Sequence, residues 1–160
     1  MMKKIISSII AVVVAIMALS VNNTTTEASA LTKTYKVGQT AKYRGLSLKV
    51  NNVNYLEPDE FDSIDSNKHY IVVNVTIKNT GRDNYDYNPF YFKMNVGGNN
   101  TDFDAFSVSA EDVLESGTLD KGASVSGNLV AEIKRDASGA KLKLNVNPLN
   151  SKQNITFALN

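Results

Sequence analysis

Hydrophobic and polar residues alternate with a period of two over most of the chain beyond residue 45. Leu46, Leu48 and Val50 alternate with Ser47 and Lys49, and the phase then slips across Asn51-Asn52 to Val53 and Tyr55. One extra residue at that slip is what a β-bulge looks like in sequence. Ile71, Val73, Val75 and Ile77 share a face opposite Asn74, Thr76 and Lys78. The same rhythm places Phe90, Phe92, Met94 and Val96 together, then Val125, Leu129, Ala131 and Ile133, then Leu142, Leu144 and Val146. Ile155, Phe157 and Leu159 form a last short run.

Turn-forming residues separate these runs: Asn79-Thr80-Gly81, Gly97-Gly98-Asn99-Asn100, Asp120-Lys121-Gly122 and Ser138-Gly139. One-sided alternation gives each strand one buried and one wet face, the pattern of antiparallel sheets. Two such sheets stacked face to face bury both apolar sides. The expected fold is therefore all-β: an immunoglobulin-like antiparallel β-sandwich of about seven strands, with a closed barrel as the alternative. Ala110 to Leu114 is the one stretch that hints at a helical turn.

The N-terminus breaks this pattern. Lys3 and Lys4 precede an unbroken apolar run from Ile9 to Leu19, and a polar stretch then ends in Ala28-Ser29-Ala30. Positive, apolar and small-x-small segments in that order make a secretory signal peptide. The run is too short for a membrane span, which takes about 20 apolar residues. The expected division is residues 1–30 as leader and 31–160 as one sandwich domain. A cut after Ser20 also fits, because Ala18-Leu19-Ser20 satisfies the same rule. The expected destination is therefore secreted or extracellular.

Composition narrows the choices. The 160 residues include no cysteine, which removes disulfides, thiol catalysis, Cys-based zinc sites and a lipid-modified cysteine after the leader. Of 17 Lys and Arg and 16 Asp and Glu, Lys3, Lys4 and Glu27 leave with the leader, so the expected domain is balanced in charge. That balance gives no reason to expect nucleic acid, or a stable membrane attachment after cleavage.

The segments Tyr35-Lys36-Val37-Gly38-Gln39-Thr40, Gly45 to Val50 and Tyr70 to Gly81 are followed by Leu119-Asp120-Lys121-Gly122 and Gly127-Asn128-Leu129-Val130. In that order they resemble an uncharacterised family of small exported bacterial domains, grouped with the mycobacterial immunoprotective extracellular antigen. The resemblance spans about residues 35 to 159. It implies an exported immunoglobulin-like sandwich and brings no catalytic residues with it.

Chemistry-bearing motifs are sparse. His69 is the single histidine, so a transition-metal site or a Ser-His-Asp triad would have to be built around it. Gly122-Ala123-Ser124-Val125-Ser126 breaks the nucleophile-elbow pattern at its last place. The chain is therefore expected not to be an enzyme.

Two clusters remain as candidate sites. Tyr85, Tyr87, Asn88 and Tyr91, with Phe90 among them, combine rigid contact area with hydrogen bonding and form the candidate ligand-binding set. Glu57, Asp59, Glu60, Asp62 and Asp65 could supply oxygen ligands to a weak calcium site, although Phe61 and the lack of a glycine depart from an EF-hand. The expected function is a secreted or cell-surface binding or accessory module. It would act through loops at the sandwich end on an unknown protein or glycan. The alternatives are a small carboxylate-dependent hydrolase and a structural envelope protein.

Overall fold

The alternating runs form sheets in the computed structural model, which describes residues 29–81, 83–103, 110–147 and 149–160. The leader expected over residues 1–30 lies outside the described residues except for Ser29 and Ala30. A helical turn over residues 29–32 leads into the first strand, and Ala30 is buried in the core at 2% exposure.

Eleven strands follow among the described residues. A five-stranded sheet runs β1(Thr34–Lys36), β11(Asn154–Ala158), β10(Lys141–Asn145), β6(Phe92–Val96) and β7(Asn99–Asp102). A four-stranded sheet runs β2(Thr40–Tyr43), β3(Leu46–Leu56), β4(Lys68–Asn79) and β9(Ser124–Lys134). The short strands β5(Tyr85–Tyr87) and β8(Gly117–Leu119) pair as a third sheet. The fold is an all-β sandwich, as the alternation predicts. The strand pairs are antiparallel except β1 with β11, which are parallel.

The core lies between the two large sheets. Ile71, Val73, Val75 and Ile77 of β4 meet Leu48, Val50, Leu129 and Ala131 on their own sheet and Phe92, Met94, Leu142, Leu144, Ile155 and Phe157 from the other, in one buried cluster. The predicted bulge is present: the β3–β4 register shifts between Val50 and Asn52. It serves the outer face. The Asn51 amide donates to Asn74 at 2.7 Å and to Thr76 at 2.8 Å, and Asn74 donates to Asn128 at 2.7 Å, linking three strands on the wet side. The Gly97-Gly98 hairpin has φ of 57° and 90°, which suits glycine at both central positions of a tight turn.

Three local expectations change. Ala110 to Leu114 is not helical. Val113 bridges Asn128 in parallel, Leu114 N–H donates to the Asn128 carbonyl at 2.8 Å, and the segment straps the edge of β9. Phe90 does not continue the buried face of β6. Pro89–Tyr91 forms a 3-10 turn capped by Asn88, which accepts from the Phe90 N–H at 2.9 Å, and this turn leaves Phe90 64% exposed. The outer face of β4 is also not uniformly wet. Tyr70 and Val72 are buried there with Val130, and Leu56, Ile64 and Ala110 pack against them. The 57–67 connection thus covers a second, smaller apolar cluster.

A groove on the outer face of the five-stranded sheet

The outward positions of the five-stranded sheet form rows across the strands. Thr156, Lys143, Lys93 and Asp102 stand side by side on β11, β10, β6 and β7. Asn154 and Asn145 pair in the next row, on the side where the Pro89–Tyr91 turn leads into β6. Asn95 pairs with Asn100 in the row on the other side. These positions face out because their neighbours Phe92, Met94, Leu142, Leu144, Ile155 and Phe157 are held in the core.

A groove of about 360 Å³ lies over these rows. Phe90 and Tyr91 border it with Ser151 and Asn154, and Lys93, Lys143, Asn100, Asn145 and Asp102 complete its lining. Phe90 is 64% exposed and Tyr91 37%, so both side chains are open to water on the groove's border. Lys93 forms an ion pair with Asp102. Lys143 has no carboxylate within ion-pair distance among the described residues. Asn145 Oδ1 accepts from the Asn147 N–H at 2.8 Å, and Asn100 Oδ1 accepts from Asn95 at 2.7 Å. Both amides thus keep donor capacity for a ligand.

Of the four residues the sequence offers for ligand binding, Tyr91 lines this groove. Asn88 serves as the cap of the turn. Tyr85 and Tyr87 are half-buried and pack on the core. Burial pushes the Tyr85 phenol up to about 12, with Tyr91 nearby adding to the shift. Tyr87 lies over Gly117, where an added Cβ would come within 2.7 Å of its hydroxyl oxygen. These two rings therefore seat the β5–β8 sheet. Lys93, Lys143, Asn100, Asn145 and Asn154 escaped the sequence reading. Lys93, Lys143 and Asn145 lie on polar positions of alternating runs, Asn154 flanks one, and Asn100 falls in an expected turn that the structure makes part of β7. They become a site only once β6 is known to pair with β10.

The acidic residues at 57–65 are drawn to different neighbours. Arg135 holds Glu57 at both carboxylate oxygens, at 2.9 and 2.6 Å. That hydrogen-bonded contact keeps the Glu57 carboxyl below its ordinary range. Asp62 accepts from the Asp59 N–H at 2.9 Å, and Asp59 accepts from the Phe61 N–H at 3.3 Å. Burial raises the Tyr70 phenol, and the charge and hydrogen bond of Asp62 raise it further. Asp65 lies 3.9 Å from Lys68, whose closer partner is Glu132 at 2.7 Å. Glu60 is exposed. Among the described residues, no three His, Cys, Asp or Glu side chains come together as a group that could hold a metal. His69 stacks on Tyr55, with ring centroids 4.9 Å apart.

A second cleft, of about 350 Å³, opens near the end of the sandwich, lined by Met94, Val96, Ile133 and Ala137 with Lys68, Glu132 and Lys134. Its best-placed charges, Lys68 and Glu132, already pair with each other. No helix among the described residues is long and apolar enough to cross a membrane.

A sandwich with these features defines an all-β domain without a recognisable catalytic constellation among its described residues. The chain belongs to the family described as Domain of unknown function (DUF4352), which matches residues 35–155. No curated protein matches it by sequence. Among solved structures, it is similar to the yjhA protein of Bacillus subtilis, at 23% identity and a TM-score of 0.62, over 79% of this chain and 99% of that one. It is also similar to the ycdA protein of Bacillus subtilis, provisionally called a lipoprotein, at 22% identity and a TM-score of 0.63. That match covers 74% of this chain and 37% of the other, so this chain spans little more than a third of that protein's length. An uncharacterized β-sandwich protein of Clostridium difficile matches at 13% identity and a TM-score of 0.45, over 80% of this chain and 95% of that one.

Proposed function

We propose that this protein is an exported, non-catalytic binding module of the bacterial cell surface, taking its ligand in the groove on the outer face of the five-stranded sheet. One observation carries the reading: two aromatic rings stand exposed beside a groove lined by lysines and amides. Phe90 and Tyr91 are adjacent in the chain and exposed together on the groove's border, a placement that gives a ligand aromatic contact area. Rings beside hydrogen-bonding side chains are good recognition chemistry. Export is supported by the basic and apolar segments at Lys3 to Leu19. A surface location is also the destination implied by the name given to the ycdA protein. Kinship with the mycobacterial antigen, read from the strand motifs, belongs to the same proposal. The step from sandwich to binding is an argument from the site, since the fold itself hosts many functions.

Amide chemical-shift mapping tests this reading, with purified envelope polysaccharides and peptides as probes. Shifts should cluster on Pro89–Tyr91, β6 and β10, with no change in the probe. Shifts confined to the sandwich end, or cleavage of the probe, would overturn it.

A further inference from the structure

The charges of this domain are balanced in sum but not in space. The acidic side chains fall mainly in connections, at 57–65, at Asp83, at 111–115 and at Asp120. The outward positions of the five-stranded sheet instead carry Lys36, Lys93, Lys141 and Lys143 against the single carboxylate of Asp102. Two of these lysines, Lys93 and Lys143, stand directly opposite each other on β6 and β10. Like charges in that relation destabilise a sheet. Asp102 relieves Lys93, and nothing comparable relieves Lys143 among the described residues.

An anion in the groove would remove that repulsion, and the groove's other features describe what carries the anion. Phe90 and Tyr91 offer flat apolar faces suited to the C–H face of a pyranose ring. Asn100, Asn145 and Asn154 offer amides for hydroxyl groups. The groove lies on an open sheet face, which suits a chain laid along it.

We propose that the ligand is an acidic polysaccharide of the uronic-acid class, its carboxylate between Lys143 and Lys93 and its ring against Phe90 or Tyr91. This inference rests on the binding-module reading above and adds the charge of the ligand to it.

The test compares oligogalacturonate with its methyl ester, which keeps the rings and removes the charge, and with single-stranded oligothymidylate as an anion without pyranose rings. Affinities are measured calorimetrically at low and high salt, and the site by chemical-shift mapping. Oligogalacturonate should bind at the groove about tenfold or more tighter than the ester, and the advantage should shrink at high salt as charges are screened. Lys143→Gln should remove most of that advantage, weakening the acid far more than the ester. Phe90→Ala should weaken both sugars. Phe90→Ala should melt with the wild type, and Lys143→Gln at or slightly above it, since it removes the cross-strand repulsion. Equal affinity for acid and ester at the groove would overturn the acidic assignment and leave the binding-module reading standing. Tighter binding of oligothymidylate would also overturn it, in favour of a nucleic acid. Acid-dependent binding that maps away from the groove would overturn both, and binding of neither sugar would overturn the assignment of ligand class.

Discussion

Leu114 lies so close over Gly127 that a Cβ added to the glycine would sit 2.9 Å from the Leu114 Cα and 3.0 Å from its Cβ. Gly127 interrupts the apolar alternation of β9 between Val125 and Leu129, and the strap at 110–114 uses the space. Hydrogen bonds from Leu114 N–H to Asn128 O and from Asn128 N–H to Asp112 O, both 2.8 Å, pin the strap there. Gly127→Ala should push the strap away and cost about 1–3 kcal/mol, as overpacking does. Thermal unfolding should show a fall of several degrees. An unchanged melting temperature would contradict this contact.

The two faces of β4 should respond in opposite ways to the same charge. Val73 is fully buried between the sheets, so Val73→Asp should prevent folding by burying an unpaired carboxylate. Lys78 is exposed, and Lys78→Asp should change stability by less than about 0.5 kcal/mol. Circular dichroism and melting of the two variants check this directly.

Tyr85 predicts an alkaline limb. Its phenol stays protonated in the fold up to about 12, whereas an unfolded tyrosine ionises near its ordinary value of about 10. The unfolded state therefore releases its proton first. The stabilisation is fully present below pH 10 and is lost as pH rises from there towards 12. Denaturant melts of wild type and Tyr85→Phe across that range should show a steeper loss in wild type. Glu57 predicts the reverse at the acid end. Its lowered pKa, set by Arg135, stabilises above the ordinary carboxylate value and fades as pH falls below it. The difference between wild type and Glu57→Gln should accordingly vanish in acid.

Processing makes a separate prediction. Mature protein from culture supernatant should begin at Leu31, and N-terminal sequencing checks it. Ala30 is nonetheless buried in the folded domain. Burying its methyl group stabilises by roughly 0.8 kcal/mol. A recombinant chain beginning at Ser29 should therefore melt slightly above one beginning at Leu31. Cleavage after Ser20 would instead leave Ala30 in the mature protein and make it part of the natural core.

The inward faces of the long strands were legible because each is set by its own local alternation. Leu48, Val73, Leu129, Leu142 and Phe157 all lie where a period of two places them. The bulge at Asn51 was legible for the same reason. Strands of three or four residues, such as β5 and β8, are too short to show a period. Phe90 was misplaced because Pro89 and the Asn88 cap start a 3-10 turn that interrupts the alternation just before β6. The burial of Tyr70 and Val72 was not legible, because the covering residue, Ile64, comes from a connection whose acidic composition looks solvated. The groove was illegible because it joins side chains from β6, β7, β10 and β11, and local pattern does not reveal which strands pair.

The most direct measurement of the central claim is cosedimentation of the purified domain with cell envelopes isolated from the source organism. Wild type is compared with Phe90→Ala/Tyr91→Ala and with Lys49→Ala/Lys78→Ala on the opposite sheet. Wild type and the opposite-sheet variant should sediment with the envelopes, and the aromatic variant should stay in solution while melting as wild type does. Equal retention of all three proteins, or loss only in the opposite-sheet variant, would contradict a binding module that works through the Phe90–Tyr91 groove.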